Sequence, residues 1–313
     1  LTVEAVGRKS RRKLVRSASF DIARGEAVAV VGESGSGKTL TALTVMGLLR
    51  SQNLEVSSGE VLFNGSDLRK MDPAEFRWLR GRSIAMIYQD PMTSLNPLMR
   101  IGRQLTEPLT IRGVGKDAAT ARARDALVRV GIPDASRALV SYPHQFSGGM
   151  RQRIMIALAL MLEPELLIAD EPTTALDVTI QQQILALVQQ EQRARSMGLI
   201  WITHDLGVVA QLVDRVIVMY NGSIVEVGAR ADIFTSPAHP YTKALIGSIP
   251  AIGEASHKRL VGIPPAKTAA PPEGCPFMPR CPRAESRCAA MPQITLVSPG
   301  HQVACFNPES SLG

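Results

Sequence analysis

Cysteine is missing from the first 274 residues of this 313-residue chain, and all four cysteines lie near its end. That usage argues against a disulfide-stapled secreted domain and fits a reducing compartment in which thiols are kept for a purpose. Aromatic residues make up 4% of the chain, too few for a platform on which nucleic-acid bases stack. Long apolar runs are missing too. The longest, Ile154–Leu162, spans nine residues, whereas a membrane-crossing helix needs about 20. No charged-then-apolar leader opens the sequence, so a cytoplasmic location is expected. Leu1 in place of Met leads us to expect a few further residues upstream.

An apolar fraction of 45% with 20% charged residues is ordinary for a soluble globular protein, with room for one large domain and an appendage. The net charge of +7 is concentrated: Arg8, Lys9, Arg11, Arg12, Lys13 and Arg16 crowd into one segment, and the rest is nearly balanced. We read this segment as a solvated loop between two edge strands, in preference to a lipid-headgroup or nucleic-acid contact.

Glu26–Val31 is a short β-branched run leading into G-E-S-G-S-G-K-T, Gly32 to Thr39, and Thr39–Leu49 carries good helix formers. Strand, glycine loop and helix are the context a phosphate-cradling loop requires. Gly59–Asn64 reads as a strand ending in an Asn-Gly turn, and Ser83–Tyr88 as a buried strand. From Met92 to Leu162 the strand signal gives way to helix-like stretches, Lys116–Val130 and Gly148–Leu162, with Pro133 and Pro143 as breakers. Parallel-strand signals return at Leu166–Ala169, Leu199–Thr203 and Val216–Tyr220. Ile180, Ile184, Leu187 and Val188 repeat at the spacing of a crossover helix, and Asn221-Gly222 turns the chain into Ser223–Val227. Beyond Ile249 the periodic patterns vanish. Pro250, Pro264, Pro265, Pro271, Pro272, Pro276, Pro279 and Pro282 punctuate a tail that reads as an extended appendage unable to build its own core without a staple.

In the glycine loop, Gly32, Gly35 and Gly37 let main-chain N–H groups curl around phosphate oxygens, with Ser34 and Ser36 between them. Lys38 supplies a cation for the β- and γ-phosphates, and the Thr39 hydroxyl suits a Mg²⁺ ligand. Asp170 ends an apolar strand, where a carboxylate is costly unless a cation offsets it, and Mg²⁺ is the natural one. Glu171 follows at once, suited to orient or deprotonate an attacking water.

The order of glycine loop, Gln89, S-G-G-M-R-Q-R (Ser147–Arg153), I-A-D-E-P (Ile168–Pro172), A-L-D (Ala175–Asp177) and I-T-H-D (Ile202–Asp205) resembles an ATP-binding cassette ATPase over roughly residues 1–235. The resemblance implies an α/β P-loop NTPase fold with an antiparallel β subdomain and a helical subdomain at about 92–162, followed over 236–313 by a Cys-rich extension. It implies that Ser147, Gly148 and Gly149 contact the γ-phosphate of ATP held by a partner cassette. It further implies that Gln89 senses metal and attacking water, that Asp177 crosses the dimer interface, and that His204 reaches the γ-phosphate. Members usually stack adenine on an aromatic residue about two dozen positions before the loop. None stands there: Phe20 lies too close and reads as core, and Lys9 or a neighbouring arginine occupies the region.

A narrower resemblance, carried by Tyr88–Pro97 (Y-Q-D-P-M-T-S-L-N-P) and His239–Leu245 (H-P-Y-T-K-A-L), is to the cassettes of the dipeptide and oligopeptide importers. It implies a subunit peripheral to the cytoplasmic face of the cell membrane. Its partners are a second cassette, expected to be a paralogue, two integral membrane permeases and an extracytoplasmic substrate-binding protein. No nucleic-acid partner is expected. Peptides are the first cargo expected, with nickel chelates and other small cargo as alternatives. The rival from another class is a soluble cassette ATPase acting on nucleic acid or the ribosome, although such proteins often carry two cassettes.

Cys275, Cys281, Cys288 and Cys305 follow the spacing C-x5-C-x6-C-x16-C, without the two-residue spacings of zinc ribbons. Four thiolates from one chain suit an iron–sulfur cluster, and related importer subunits carry one. The expectation is [4Fe–4S], ahead of Zn²⁺ and of two disulfides.

Overall fold

The computed structural model describes residues 1–7, 10–49, 53–90, 94–248, 263–266 and 273–309. The chain divides into two compact units. One gathers the described parts of Leu1–Asp21, Val28–Arg69 and Ile202–Gly313, and the other gathers those of Ile22–Ala27 and Lys70–Trp201.

The first unit opens with β1 (Thr2–Val6) and β2 (Arg11–Val15). β3 (Ala27–Val31), buried throughout, runs into the glycine loop and α1 (Lys38–Val45). β4 (Leu54–Ser58) follows, and β1 pairs antiparallel with β2 on one side and β4 on the other. This is the antiparallel sheet implied by the family resemblance. Arg11, Arg12 and Lys13 are therefore strand residues, where a loop was expected. Their side chains are exposed on an edge strand, where cations discourage pairing with another chain, and Arg11 lies 3.3 Å from both Glu4 and Glu55. Arg8 and Lys9 lie outside the described residues, and Phe20 is half-buried, not a core residue. β5 (Leu62–Phe63) and β6 (Ser66–Asp67) flank Asn64 and Gly65, both at positive φ, the two-residue turn that Asn-Gly favours.

In the second unit, α2 (Pro73–Leu79) is capped by Asp72, whose carboxylate accepts the Ala74 N–H at 2.8 Å. β7 (Ile84–Ile87) is followed by a helical block of α3 (Ile101–Ile111), α4 (Lys116–Arg129), α5 (Ala135–Val140) and α6 (Gly148–Met161). Ala119 and Ala123 on α4 are fully buried, small enough to let helix backbones come close. The sequence reading places neither α2 nor α3; Pro108 inside α3 interrupts the helical pattern. Pro91, Met92 and Thr93 lie outside the described residues. β8 (Leu166–Asp170), α7 (Val178–Arg195) and β9 (Gly198–Thr203, in this unit through Trp201) complete the unit. β8 lies between β7 and β9 and pairs in parallel with β7, Ile84 opposite Leu166. Every residue of these three strands is buried, which explains their unbroken apolar runs.

The chain then returns to the first unit with α8 (Leu206–Leu212), β10 (Arg215–Tyr220), β11 (Ser223–Ala229), α9 (Arg230–Thr235) and α10 (Pro240–Gly247). β10 pairs in parallel with β3 and antiparallel with β11 through the Asn221-Gly222 turn. The tail departs from the expectation of a coreless appendage. It forms β12 (Thr295–Ser298) and β13 (His301–Val303), which extend this sheet beyond β11. Phe277 and Val303 are fully buried, so the tail shares the unit's core. Pro250, Pro271 and Pro272 lie outside the described residues, and among those described no helix is long and apolar enough to cross a membrane.

Candidate functional site

The phosphate loop begins where β3 ends. Gly32 has φ 150°, and a Cβ there would sit 2.1 Å from the Met219 carbonyl oxygen on β10, so a side chain is sterically barred. Gly37, with φ 98°, stands at the N-cap of α1. No acidic residue lies in that helix's first turn, which leaves the positive end of its dipole facing the loop. Lys38 is 6% exposed. Its ammonium is folded into the loop, donating to the carbonyls of Gly32 at 2.8 Å and Glu33 at 2.9 Å and to Ser36 Oγ at 3.4 Å. Ser34 and Gly35 are exposed, Thr39 is half-buried, and the Ser36 carbonyl accepts the Gly222 N–H at 2.9 Å. The outer side of the loop is gripped by groups the sequence did not suggest. Tyr241 Oη accepts the Glu33 N–H at 2.8 Å, and Arg280 Nη1 donates to the Glu33 carboxylate at 2.8 Å. His204, exposed at the end of β9, belongs to this first unit and precedes Asp205, which caps α8.

In the second unit Asp170 closes β8 and is 1% exposed. Glu171 has φ 46°, the left-handed region that an ordinary side chain seldom occupies, and such strain clusters at functional sites. Its Oε2 accepts a hydrogen bond from Gln89 Nε2 at 3.2 Å, joining residues 82 positions apart. Thr174 Oγ1 donates to the Glu171 carbonyl at 3.0 Å. Gln152, fully buried in the M-R-Q-R stretch, donates to the same carbonyl at 3.4 Å and accepts the Ala175 N–H at 3.2 Å. It thereby ties the turn after β8 to α6, a role not read from the sequence. Ser147 is the exposed N-cap of α6, accepting the Met150 N–H at 3.3 Å, and Gly148 and Gly149 form its first turn. A Cβ at Gly149 would stand 3.2 Å from the Ala175 carbonyl oxygen. Asp177, also exposed, caps α7 through the Ile180 N–H at 3.0 Å. The acidic pair after β8 thus does not cap the helix; Asp177 does.

The first unit thus carries a glycine loop holding a buried lysine, and the second a buried carboxylate at a strand end and a strained glutamate bonded to a glutamine, each a group of the kind that phosphoryl transfer uses. The family model for ABC transporters matches residues 15–174. The chain belongs to the ABC transporter family. A second model, the oligopeptide/dipeptide transporter C-terminal region, matches residues 225–288 of this cassette. It is 51% identical to a dipeptide transport ATP-binding protein of Bacillus subtilis, covering 93% of this chain and 88% of that one. It is 45% identical to an oligopeptide transport ATP-binding protein of Salmonella typhimurium, covering 95% and 89%. Among solved structures, a dimeric ATP-binding cassette bound to ADP and Pi superposes with a TM-score of 0.65 at 24% identity, over 73% of this chain and 98% of that one. An ATP-binding subunit of an ABC transporter gives 0.61 at 28% identity, over 74% and 92%. The fold is therefore the ABC cassette, and the protein is an ATPase subunit of that family.

In the cassette's tail, the cysteines are free thiols; Cys275 and Cys288 are buried, and the Cys275 N–H donates to the Cys288 carbonyl at 3.0 Å. Burial pushes the Cys275 thiol up to about 11, and Cys288 and Cys305 add to the rise. Burial also raises the Cys281 and Cys305 thiols, with Cys288 adding to both and Cys281 to that of Cys305. Among the described residues, however, no group of three or more His, Cys, Asp or Glu side chains is gathered to hold a metal ion.

Proposed function

We propose that this cassette binds MgATP and hydrolyses it to drive import of di- or oligopeptides, as the names of its relatives suggest for their own systems. The observation that carries the chemistry is the hydrogen bond between Gln89 and Glu171. It aims the Glu171 carboxylate by a side-chain amide, as a base that must hold one water in line requires. Gly32 to Gly37 cradle the phosphates, and Lys38 turns its ammonium from loop carbonyls to phosphate oxygens. Thr39, Gln89 and Asp170 hold Mg²⁺, which screens the phosphate charge; the burial of Asp170 favours such a counter-charge. His204 approaches the γ-phosphate. The exposed Ser147, Gly148 and Asp177 present a surface to the ATP of a partner cassette, which we take to be a paralogue.

Residues 1–235 form the cassette and 236–313 the importer-type extension. Two integral membrane permeases and an extracytoplasmic binding protein complete the complex, with this subunit on the cytoplasmic face of the membrane. The cysteines hold a [4Fe–4S] cluster in preference to Zn²⁺. This reading rests on the number and spacing of the cysteines alone, since among the described residues no group of three or more is gathered to hold a metal ion. The deciding test of the ATPase reading is Glu171→Gln in the assembled complex. ATP binding is retained and turnover falls about 10²-fold or more; normal turnover removes Glu171 as the base.

A further inference from the structure

Glu33 of the phosphate loop is held at its N–H, its carbonyl and its carboxylate. Its N–H donates to Tyr241 Oη, its carbonyl accepts from Lys38 Nζ at 2.9 Å, and its carboxylate accepts from Arg280 Nη1 at 2.8 Å. The first contact joins residues 208 positions apart and the last 247. Neither holding group floats. Arg280 Nη1 also donates to Tyr220 Oη at 3.2 Å, and Arg280 Nε donates to the Pro264 carbonyl at 2.6 Å. Phe277, fully buried, packs edge-on against Tyr220 with centroids 5.2 Å apart and tilts against Tyr241 at 5.4 Å. Tyr220 and Tyr241 meet at 4.6 Å. Burial pushes the Tyr241 hydroxyl up, so it stays an uncharged O–H able to accept the Glu33 N–H at physiological pH.

The hydrogen bond to Tyr241 fixes the orientation of the peptide unit that joins Gly32 to Glu33. The carbonyl of that same peptide unit, that of Gly32, accepts from the Lys38 ammonium at 2.8 Å, and the Glu33 carbonyl of the next unit accepts from it at 2.9 Å. We propose that Tyr241 and Arg280 are positioning residues of the ATP site, pinning Glu33 so that the loop and the Lys38 ammonium are set before nucleotide arrives. Releasing Glu33 returns conformational freedom to the loop, and the binding step must then remove it. The extension is on this account part of the nucleotide site, and not only an attachment that follows it. The inference rests on the ATP-binding reading above.

The test uses the full-length chain with Tyr241→Phe, Arg280→Lys and Glu33→Gln, together with the Glu33→Gln/Arg280→Lys double variant. Tyr241→Phe keeps the ring stack and deletes only the hydroxyl. Equilibrium binding of MgATP and MgADP, KM, kcat and melting temperature are measured on each. Each single variant is expected to weaken nucleotide binding about 3- to 10-fold and raise KM alike, while kcat at saturation changes less than twofold. The double variant should lose no more than the weaker of its two parents, because both substitutions break one contact. A purely structural anchor would lower the melting temperature and leave KM unchanged, which overturns the proposal. So do additive losses in the double variant. Wild-type protein that fails to bind MgATP instead removes the underlying ATP reading.

Discussion

Glu226 is a buried carboxylate on β11 that the sequence gives no reason to single out, and Glu226→Gln tests how the tail is held. The residue is 1% exposed and receives three hydrogen bonds. Oε1 takes the Ala238 N–H at 2.7 Å and lies 2.7 Å from His301 Nε2, while Oε2 takes the His239 N–H at 2.8 Å. These bonds attach both the entry to α10 and strand β13 to β11. Glutamine keeps the size but has one acceptor oxygen and one donor nitrogen. With its oxygen at the Oε1 position, its NH₂ faces the His239 N–H, donor against donor. Flipped, the NH₂ faces the Ala238 N–H instead. In either orientation one buried main-chain N–H loses its acceptor, and the new amide leaves a donor of its own unmet. Each orphaned group costs about 1–3 kcal/mol, so the two together should destabilise by roughly 2–6 kcal/mol. For a chain of this size that lowers the melting temperature by about 3–9 °C. Thermal unfolding followed by circular dichroism reads the shift, and hydrogen exchange at residues 238, 239 and 303 should accelerate together. A melting temperature within 1 °C of wild type, or exchange unchanged at all three sites, refutes the reasoning.

His239 adds a pH dependence: burial depresses its pKa to about 3, and Nδ1 accepts the Tyr241 N–H at 3.0 Å. The folded state keeps the ring neutral while the unfolded chain binds a proton near pH 6.5, so the stability it contributes is full above that pH. It is lost as pH falls towards about 3, by on the order of one kcal/mol per pH unit. Urea unfolding at pH 7 and pH 5 should show this slope, and His239→Asn, which retains a capping side chain, should flatten it; an equal slope in both proteins would exclude His239 as its source. For the tail thiols, protein purified without oxygen should carry about four iron and four sulfide per chain, with an absorption that bleaches on reduction. Stoichiometric zinc without iron would overturn the cluster.

The glycine loop was legible in the sequence because its chemistry is local. The β-branched run before Gly32, the glycines and Lys38 are neighbours in the chain, and β3 and α1 form around them. The turns at Asn64-Gly65 and Asn221-Gly222 were legible for the same reason: both residues of each pair take positive φ, which few other dipeptides accept. Helices α4 and α6 and strands β7 to β10 carry long enough patterns to be found, though their ends shift by a residue or so. Strand β2 was not legible, because an exposed edge strand of arginine and lysine has no apolar alternation. Strands β12 and β13 are short, and β12 is exposed throughout, so pairing, β13 with β11 and β12 with β13, supplies what their sequence does not.

What the sequence determined by itself was the set of candidate groups, since residue type and motif order point to those proposed to bind phosphate, hold Mg²⁺ or activate water. Tertiary structure alone decided what holds those groups still. Gln89 meets Glu171 across 82 residues, and Tyr241 and Arg280 reach Glu33 across 208 and 247. A contact of that range has no local signature: it exists only once the strands between have paired and the core beneath Phe277 has closed.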